Sequence, residues 1–445
     1  MLARGARSPS GLGTLVGVGL SGVTGLAGGV LGVLLLSGWN RRVDWVAWIL
    51  HPDLMVFGFL TLFTVAVATS LVPKLNSTRA NPKLGLTSIG LLALTTPLWL
   101  LFHTRPLMGD IALLASAIVF AAYTLSSVKR PRNAISYGNI YFGAGALTLI
   151  AVATIKTLVD AQSPYGEWDE YTYTWLALMG FPTSIILGVW QHTAHFRGVS
   201  PRKTLSAAIA ILWCTTLAIY TSSAITTLHV MRLVGVVIEV IALSTFLFNL
   251  SAFTPAQLPS RWAFDPNKWR YRWFDRSIRI ASLWLTVGIA LQALYAVSPE
   301  GFIAGYTQLL DAWIHTISLG FYLVVIASYA PIMLPVLLRG RTLNIRLTLI
   351  PQLLVSLSVT WRLLADLFSI FLGSNTSALL EYSPVPAFLA ILVFLVDVHR
   401  MGGGRRSDAG SSEPPLLSIK PWRRVSSPNS RTSHNENTVK YNRDY

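Results

Sequence analysis

Long apolar runs separated by short polar stretches repeat along almost the whole chain. Each run holds roughly 18 to 28 residues, which is long enough to cross a hydrocarbon core of about 30 Å as a helix. We count about twelve such runs, near residues 14–37, 46–72, 84–102, 111–128, 135–155, 173–190, 204–222, 224–250, 278–297, 312–338, 347–372 and 380–398. The pattern therefore predicts an all-α fold, a polytopic bundle of transmembrane helices within residues 1–400.

The composition agrees with this pattern. The 445 residues have a mean hydropathy of +0.54, with 53% hydrophobic and 12% charged residues, a balance that excludes an ordinary soluble domain. From residue 401 the chain is rich in Gly, Ser, Pro, Asn and Arg and loses its hydrophobic periodicity, so we expect residues 401–445 to form a disordered, basic tail. The sequence has no motif for phosphate binding, Ser-His-Asp catalysis or zinc proteolysis. It therefore lacks the residues that hydrolases and nucleotide-driven pumps require.

Positive charge alternates between the predicted loops. Loops that follow even-numbered helices carry about eighteen Lys and Arg residues. The odd loops hold Arg41, Arg42, Arg105 and Lys156 as cations, and acidic residues such as Asp311 collect there. The positive-inside rule then predicts a cell-membrane protein with both termini in the cytoplasm. We attribute the net charge of +16 to this topology and to contact with anionic lipid rather than to nucleic-acid binding.

Four of the eight histidines fall near the same, outer end of four different predicted helices: His51, His103, His229 and His315. Ionisable side chains are costly in a bilayer, so a shared depth indicates a functional layer, and imidazole layers suit metals. Haem is the first candidate, because two imidazoles from facing helices can clamp a haem between them. We expect His51 and His315 to be that pair. The single cysteine, Cys214, excludes covalent Cys-x-x-Cys-His attachment, which favours haem b.

Two arginines lie inside apolar runs, at the same depth as the histidines. Arg232 lies one turn below His229, and Arg362 lies in the outer half of helix 11, four residues before Asp366. Both are placed to meet haem propionates, which need cationic partners when they leave water. The alternative for Arg362 is a pair with Asp366 on one helix face.

The remaining candidates each have a second interpretation. His103 and His229 could hold a copper ion together, or could cap helix ends in the headgroup layer. His192 and His195 form His-x-x-His at the cytoplasmic end of helix 6, which suits either a metal or an interfacial position. Glu239, near the middle of helix 8, could carry protons toward the metal layer or be a neutral structural carboxyl group.

Helices 2 and 10 carry a family resemblance. Residues 51–73 begin HPDLMVFGF and end LVP, which resembles the second helix of haem-copper oxidase subunit I. Residues 315–335 begin HTISLGF and end APIMLP, which resembles the NnrS family of haem- and copper-containing membrane proteins linked to nitric oxide. The resemblance implies a fold like that of oxidase subunit I, with His51 and His315 as haem ligands.

The chain departs from both family patterns. The oxidase pattern places a histidine pair in helix 7, where this chain has no histidine, so a dioxygen-reducing centre is not expected. NnrS-type proteins often have His-x-His-Glu-Met at the first site, where this chain has Asp53 and Leu54. Copper is therefore the less expected metal.

Two function classes remain. The first is a haem-binding membrane protein that acts in respiratory electron transfer or nitric oxide handling, with a quinol or another redox partner. The second is a cofactor-free secondary transporter in which Glu239, Arg232 and Arg362 line a substrate path, with the glycine-rich first helix, Pro331 and Pro335 supplying breaks.

Overall fold

A computed structural model describes residues 9–36, 50–78, 80–102, 106–128, 137–162, 170–226, 229–256, 268–297, 306–338, 345–372 and 377–403. Within these ranges every regular element is helical, and eleven helices are long and apolar enough to cross a membrane. A twelfth apolar helix, Pro384–Val398, is shorter. The predicted all-α polytopic membrane bundle is confirmed.

The helices are α1 (Pro9–Leu36), α2 (Leu50–Leu75), α3 (Pro82–Leu101), α4 (Leu107–Val128), α5 (Tyr137–Gln162), α6 (Tyr171–Thr193), α7 (Lys203–Thr226), α8 (His229–Asn249), α9 (Lys268–Val297), α10 (Tyr306–His315, continuing through Val324–Leu338), α11 (Ile345–Leu372), α12 (Ser377–Tyr382) and α13 (Pro384–Gly403). They belong to one compact unit, Met1–Arg405. The predicted tail lies outside the described residues from residue 404 onward.

Three predicted boundaries are wrong in a way that moves charged residues out of loops. Helix α9 begins at Lys268 instead of near residue 278. Helix α5 continues to Gln162, so Lys156 is a buried helical residue instead of a loop cation. Helix α10 begins at Tyr306, so Asp311 is helical too. At Lys156 and Asp311 the charged side chain has an ion-pair partner on a neighbouring helix, which offsets the cost of carrying the helix past it.

Helices α2, α6 and α10 form the centre of the bundle. Between 72% and 83% of their apolar spans is buried, against 33–50% for the other long helices. Each contains an eight-residue π-helical segment: Leu54–Thr61, Leu176–Thr183 and Thr316–Leu323. π-Helical turns are rare and often occur at functional sites.

The three π-helical segments share a sequence register. A Gly-Phe pair occupies the fifth and sixth positions of each segment, beginning at Gly58, Gly180 and Gly320. The residue that precedes each segment, Asp53, Trp175 or His315, contacts a buried polar cluster. Each of the three central helices therefore carries a polar or hydrogen-bonding side chain directly before its π-helical segment.

Helix α1 packs closely on α2 through its glycines. A Cβ atom at Gly17 would lie 2.6 Å from Ala66 Cβ, and one at Gly32 would lie 2.8 Å from His51 Cε1. Thr14 adds a hydrogen bond to the Ala66 carbonyl at 2.9 Å. Small residues allow this close approach between membrane helices. The glycines thus form a packing face on an unbroken helix, which removes one argument for a transporter.

Two glycine substitutions within one turn of α1 should have opposite effects on the stability of the protein. Gly17→Ala is expected to destabilise the protein by about 1–3 kcal/mol, because Ala66 belongs to the facing helix and cannot yield easily. Gly19→Ala is the matched control, since nothing lies within 4 Å of a Cβ there. It should be neutral or stabilising by up to about 1 kcal/mol. Thermal unfolding of both variants in detergent measures the difference, and equal melting temperatures would refute the close approach.

A buried arginine connects several helices at the end of the bundle opposite the predicted histidine layer. After α6 a 3₁₀ turn, Ala194–Arg197, places the Arg197 Nε atom 2.9 Å from Asp275 Oδ1 on α9. The same guanidinium donates to the carbonyl groups of Leu250, Ser251 and Thr254, at 3.0–3.1 Å, just beyond the end of α8. One side chain therefore joins three helices and satisfies carbonyl groups after the last helical turn.

Candidate functional site

The structure brings His51 and His315 into the same part of the bundle. His51 lies at the start of α2, and His315 immediately precedes the π-helical segment of α10. His51 lies within the electrostatic influence of His315, Arg362 and Asp311. The sequence predicted a shared depth for the two histidines, and the fold adds a shared position around the bundle axis.

Hydrogen bonds fix the orientation of both imidazoles. His51 Nδ1 lies 2.8 Å from the Gly28 carbonyl of α1, and His315 Nδ1 lies 3.0 Å from the Asp311 carbonyl. A carbonyl can only accept, so Nδ1 carries the hydrogen in each ring and Nε2 of a neutral ring keeps its lone pair. Within the described ranges no hydrogen bond reaches either Nε2 atom. Both rings therefore present a free ligand atom.

A charged chain supports His315 from behind. Asp311 Oδ1 lies 3.1 Å from His315 Nδ1, one helical turn away, and Asp311 Oδ2 accepts from Arg362 Nε on α11 at 2.8 Å. Arg362 also lies 3.5 Å from Asp366, as the helix-face alternative anticipated. A carboxylate behind a histidine fixes the ring and raises its basicity as a ligand. Sequence reasoning missed Asp311, although its four-residue spacing from His315 was a usable signal.

Arg232 lies in a different cluster. Its guanidinium carbon is 5.5 Å from the ring centre of Tyr171 on α6, a cation–π contact. Arg362 is instead engaged with two carboxylates. The propionate roles proposed for both arginines remain predictions.

Glu239 occupies a fully buried position on α8, among hydrogen-bond donors from three other helices. Its Oε2 atom accepts from Trp175 Nε1 at 2.9 Å, from Tyr220 Oη at 3.3 Å and from Gln292 Nε2 at 2.5 Å. Tyr171 Oη lies 3.3 Å from Tyr220 Oη. These bonds tie α6, α7, α8 and α9 together, so Glu239 has at least a structural role.

A third polar cluster was not anticipated from the sequence. Lys156 Nζ lies 3.1 Å from Asp53 Oδ1, 3.8 Å from Asp110 Oδ1 and 3.3 Å from Asp160 Oδ2. These four residues, which we name the aspartate cluster, come from α2, α4 and α5. Because Asp53, Asp110 and the Lys156–Asp160 pair are far apart in sequence, only the arrangement of helices around the bundle could reveal the cluster.

The other predicted metal ligands stay untested. His103 lies outside the described residues, and so does the side chain of His229, although residue 229 begins α8. His192 stacks on Phe142 with ring centres 5.3 Å apart, and its Nδ1 lies 2.9 Å from the Gly188 carbonyl. The His195 side chain is not described. Among the described side chains, no group of three or more metal-capable residues forms.

An apolar cavity of about 70 Å³ lies between α2, α6 and α10, on the far side of the π-helical segments from His51 and His315. Its walls include Phe63, Ile185, Trp190, Val325 and Met333. The cavity is lined almost entirely by apolar atoms and contains no described histidine or carboxylate. It is separate from the histidine site.

No family model matches the chain, and no curated protein matches it either. The class that the fold defines is therefore a polytopic, all-α membrane protein. Any finer assignment rests on the residues of the site.

Proposed function

We propose that this membrane protein binds one b-type haem between α2 and α10, where Nε2 of His51 and Nε2 of His315 would hold the iron. The observation that carries the proposal is the shared orientation of the two rings, each with Nδ1 held by a backbone carbonyl and Nε2 left free. This arrangement is the one expected of metal-ligating histidines. A two-histidine donor set fits the two axial positions of a haem iron.

Asp311 and Arg362 would orient the ligand and adjust its strength. The Asp311 carboxylate bonds to His315 Nδ1, which makes the imidazole a stronger electron donor. Arg362 holds that carboxylate in place from α11 and offsets its charge. The haem itself would supply reversible one-electron chemistry, and we infer a role in respiratory electron transfer or nitric oxide handling.

The charge asymmetry of the loops supports placing the histidine end at the outer face of the cell membrane, with both termini in the cytoplasm. Contact with the lipid bilayer follows from the fold. A quinol or another redox partner, and a copper ion bound by His103 and His229, stay predictions because no described contact bears on them. The chain offers no described third ligand for such a copper site.

The transporter alternative has less support. Arg362 bonds to Asp311 and Asp366, whereas Arg232 and Glu239 contact a separate group of residues on α6, α7 and α9. The three residues that would line one substrate path therefore belong to two clusters. Each is already engaged in contacts within the protein.

The supporting role of Asp311 can be tested by comparing two neighbouring carboxylates. Asp311→Asn is expected to weaken haem binding by about 10- to 100-fold and to raise the haem midpoint potential, because the ligand imidazole loses its anionic partner. Asp366→Asn is the matched control, since Asp366 forms an ion pair with Arg362 at 3.5 Å and, among the described contacts, no ion pair with His315. Haem titration and potentiometry of both variants measure the effect. Identical behaviour of the two variants would contradict the role of Asp311.

A further inference from the structure

The aspartate cluster is a second buried site, with a charge imbalance. Asp110 has no exposed side-chain surface, and the other three side chains are each 11% exposed. One ammonium group faces three carboxyl groups. Burying an uncompensated carboxylate in a membrane protein is costly, so the imbalance requires a further positive charge.

Neighbouring helices contribute only neutral groups to the cluster. Trp99 of α3 donates from Nε1 to Asp110 Oδ1 at 3.0 Å, and its ring lies 5.5 Å from Lys156 Nζ. Besides the three carboxyl groups, the Tyr173 phenol of α6 is a titratable group that interacts electrostatically with Lys156. No second cation faces the cluster from the described parts of these helices.

The Asp110 Oδ2 atom indicates where a further positive charge would bind in the aspartate cluster. Asp110 Oδ2 is buried and receives no donor from the described residues. The Asp110 and Asp160 carboxyl groups lie 3.8 Å and 3.3 Å from the same Lys156 Nζ atom, within hydrogen-bonding reach of each other. Two carboxylate oxygens repel each other and have no hydrogen to share. A hydrogen bond between these two groups therefore requires a proton on one of them.

A metal ion is a poorer occupant than a proton. The three carboxyl groups do not form a metal-binding group among the described side chains. Lys156 lies within 4 Å of all three carboxyl groups and takes the central position that a metal ion would need. A proton needs only the two facing oxygens of Asp110 and Asp160.

We propose that Asp110 and Asp160 form a proton-binding site at the histidine end of the bundle. One proton taken from water forms an O–H bond on one carboxyl group and is shared with the other, so the pair changes from two negative charges to one. Asp160 lies in the last turn of α5 and is 11% exposed, whereas Asp110 has no exposed side-chain surface, so the path from Asp110 to water runs past Asp160. The site does not depend on haem.

Infrared difference spectroscopy of the purified full-length protein tests the proposal. Asp110→Asn keeps an oxygen for Trp99 and presents an NH₂ group to Asp160, so it mimics the protonated state without a titrating proton. Asp160→Asn is the reciprocal variant. Each is expected to fold and to lose one carboxylic-acid C=O band that the wild type shows, a band that shifts in heavy water and disappears as the pH is raised.

Asp275→Asn is the control, because Asp275 forms ion pairs with Arg197 and Arg279 at the other end of the bundle. This variant should keep the band. Retention of every carboxylic-acid band in both Asp110→Asn and Asp160→Asn would overturn the proposal. A band that responds to exchange of sodium for choline at constant pH would overturn it too, in favour of a metal cation.

Discussion

His315→Ala is expected to reduce the bound haem of the purified protein from about one per chain to near zero. His51→Ala should do the same. Each ring would supply one ligand to the haem iron under the proposed function, and no group of three or more metal-capable side chains forms among the described residues to replace it. The measurement is the haem content per chain after purification, with the folded state checked by gel filtration and thermal unfolding.

The matched control for this experiment is His192→Ala. His192 is also a partly buried helical histidine whose Nδ1 lies near a backbone carbonyl, but it is on α6 at the opposite end of the bundle. This variant should retain haem. Full haem content in both His51→Ala and His315→Ala would rule out the ligand assignment, whereas loss in His192→Ala alone would move the site to the other end.

Arg197→Met is expected to lower the free energy of unfolding by about 3–5 kcal/mol, the usual cost of breaking a buried ion pair. Arg197 is only 3% exposed, and its removal takes the hydrogen-bond donor from three backbone carbonyl groups and leaves Asp275 with the more exposed Arg279 as its ion-pair partner. Methionine replaces the apolar stem and isolates the loss of the guanidinium group. Chemical unfolding in detergent measures the effect.

Arg279→Met provides the comparison, because Arg279 pairs with the same Asp275 at 3.3 Å but is 32% exposed. Exposed pairs contribute about 1 kcal/mol or less. The loss of unfolding free energy should therefore be at least three times larger for Arg197→Met than for Arg279→Met. Equal losses would mean that the carbonyl contacts of Arg197 contribute nothing, contrary to the structure.

Most of the fold follows from the sequence because the bilayer sets one dominant constraint. A helix must be long and apolar enough to span the hydrocarbon core, so apolar run lengths predict helices directly. The shared depth of His51 and His315 follows from the same count. The boundaries near Lys156 and Asp311 failed because charge was taken as a loop signal, whereas ion pairs keep both residues helical.

The arrangement of helices around the bundle could not be read from hydropathy. The aspartate cluster joins α2, α4 and α5, and the Arg362–Asp311 pair joins α11 to α10, contacts that depend on which helices are neighbours. The π-helical segments were missed as well, because hydrophobic periodicity does not distinguish a local π-helical turn from an α-helix. The Gly-Phe pairs at Gly58, Gly180 and Gly320 were visible in the sequence, but only the structure shows that they occupy the same register.

The visible spectrum of the full-length protein, dithionite-reduced minus oxidised, tests haem binding most directly when a pyridine haemochrome assay and copper analysis accompany it. The ligand geometry of His51 and His315 predicts a sharp b-type α band and about one haem per chain. A folded protein that shows no such band after expression with ample haem would contradict the proposal and would make the cofactor-free transporter the leading account.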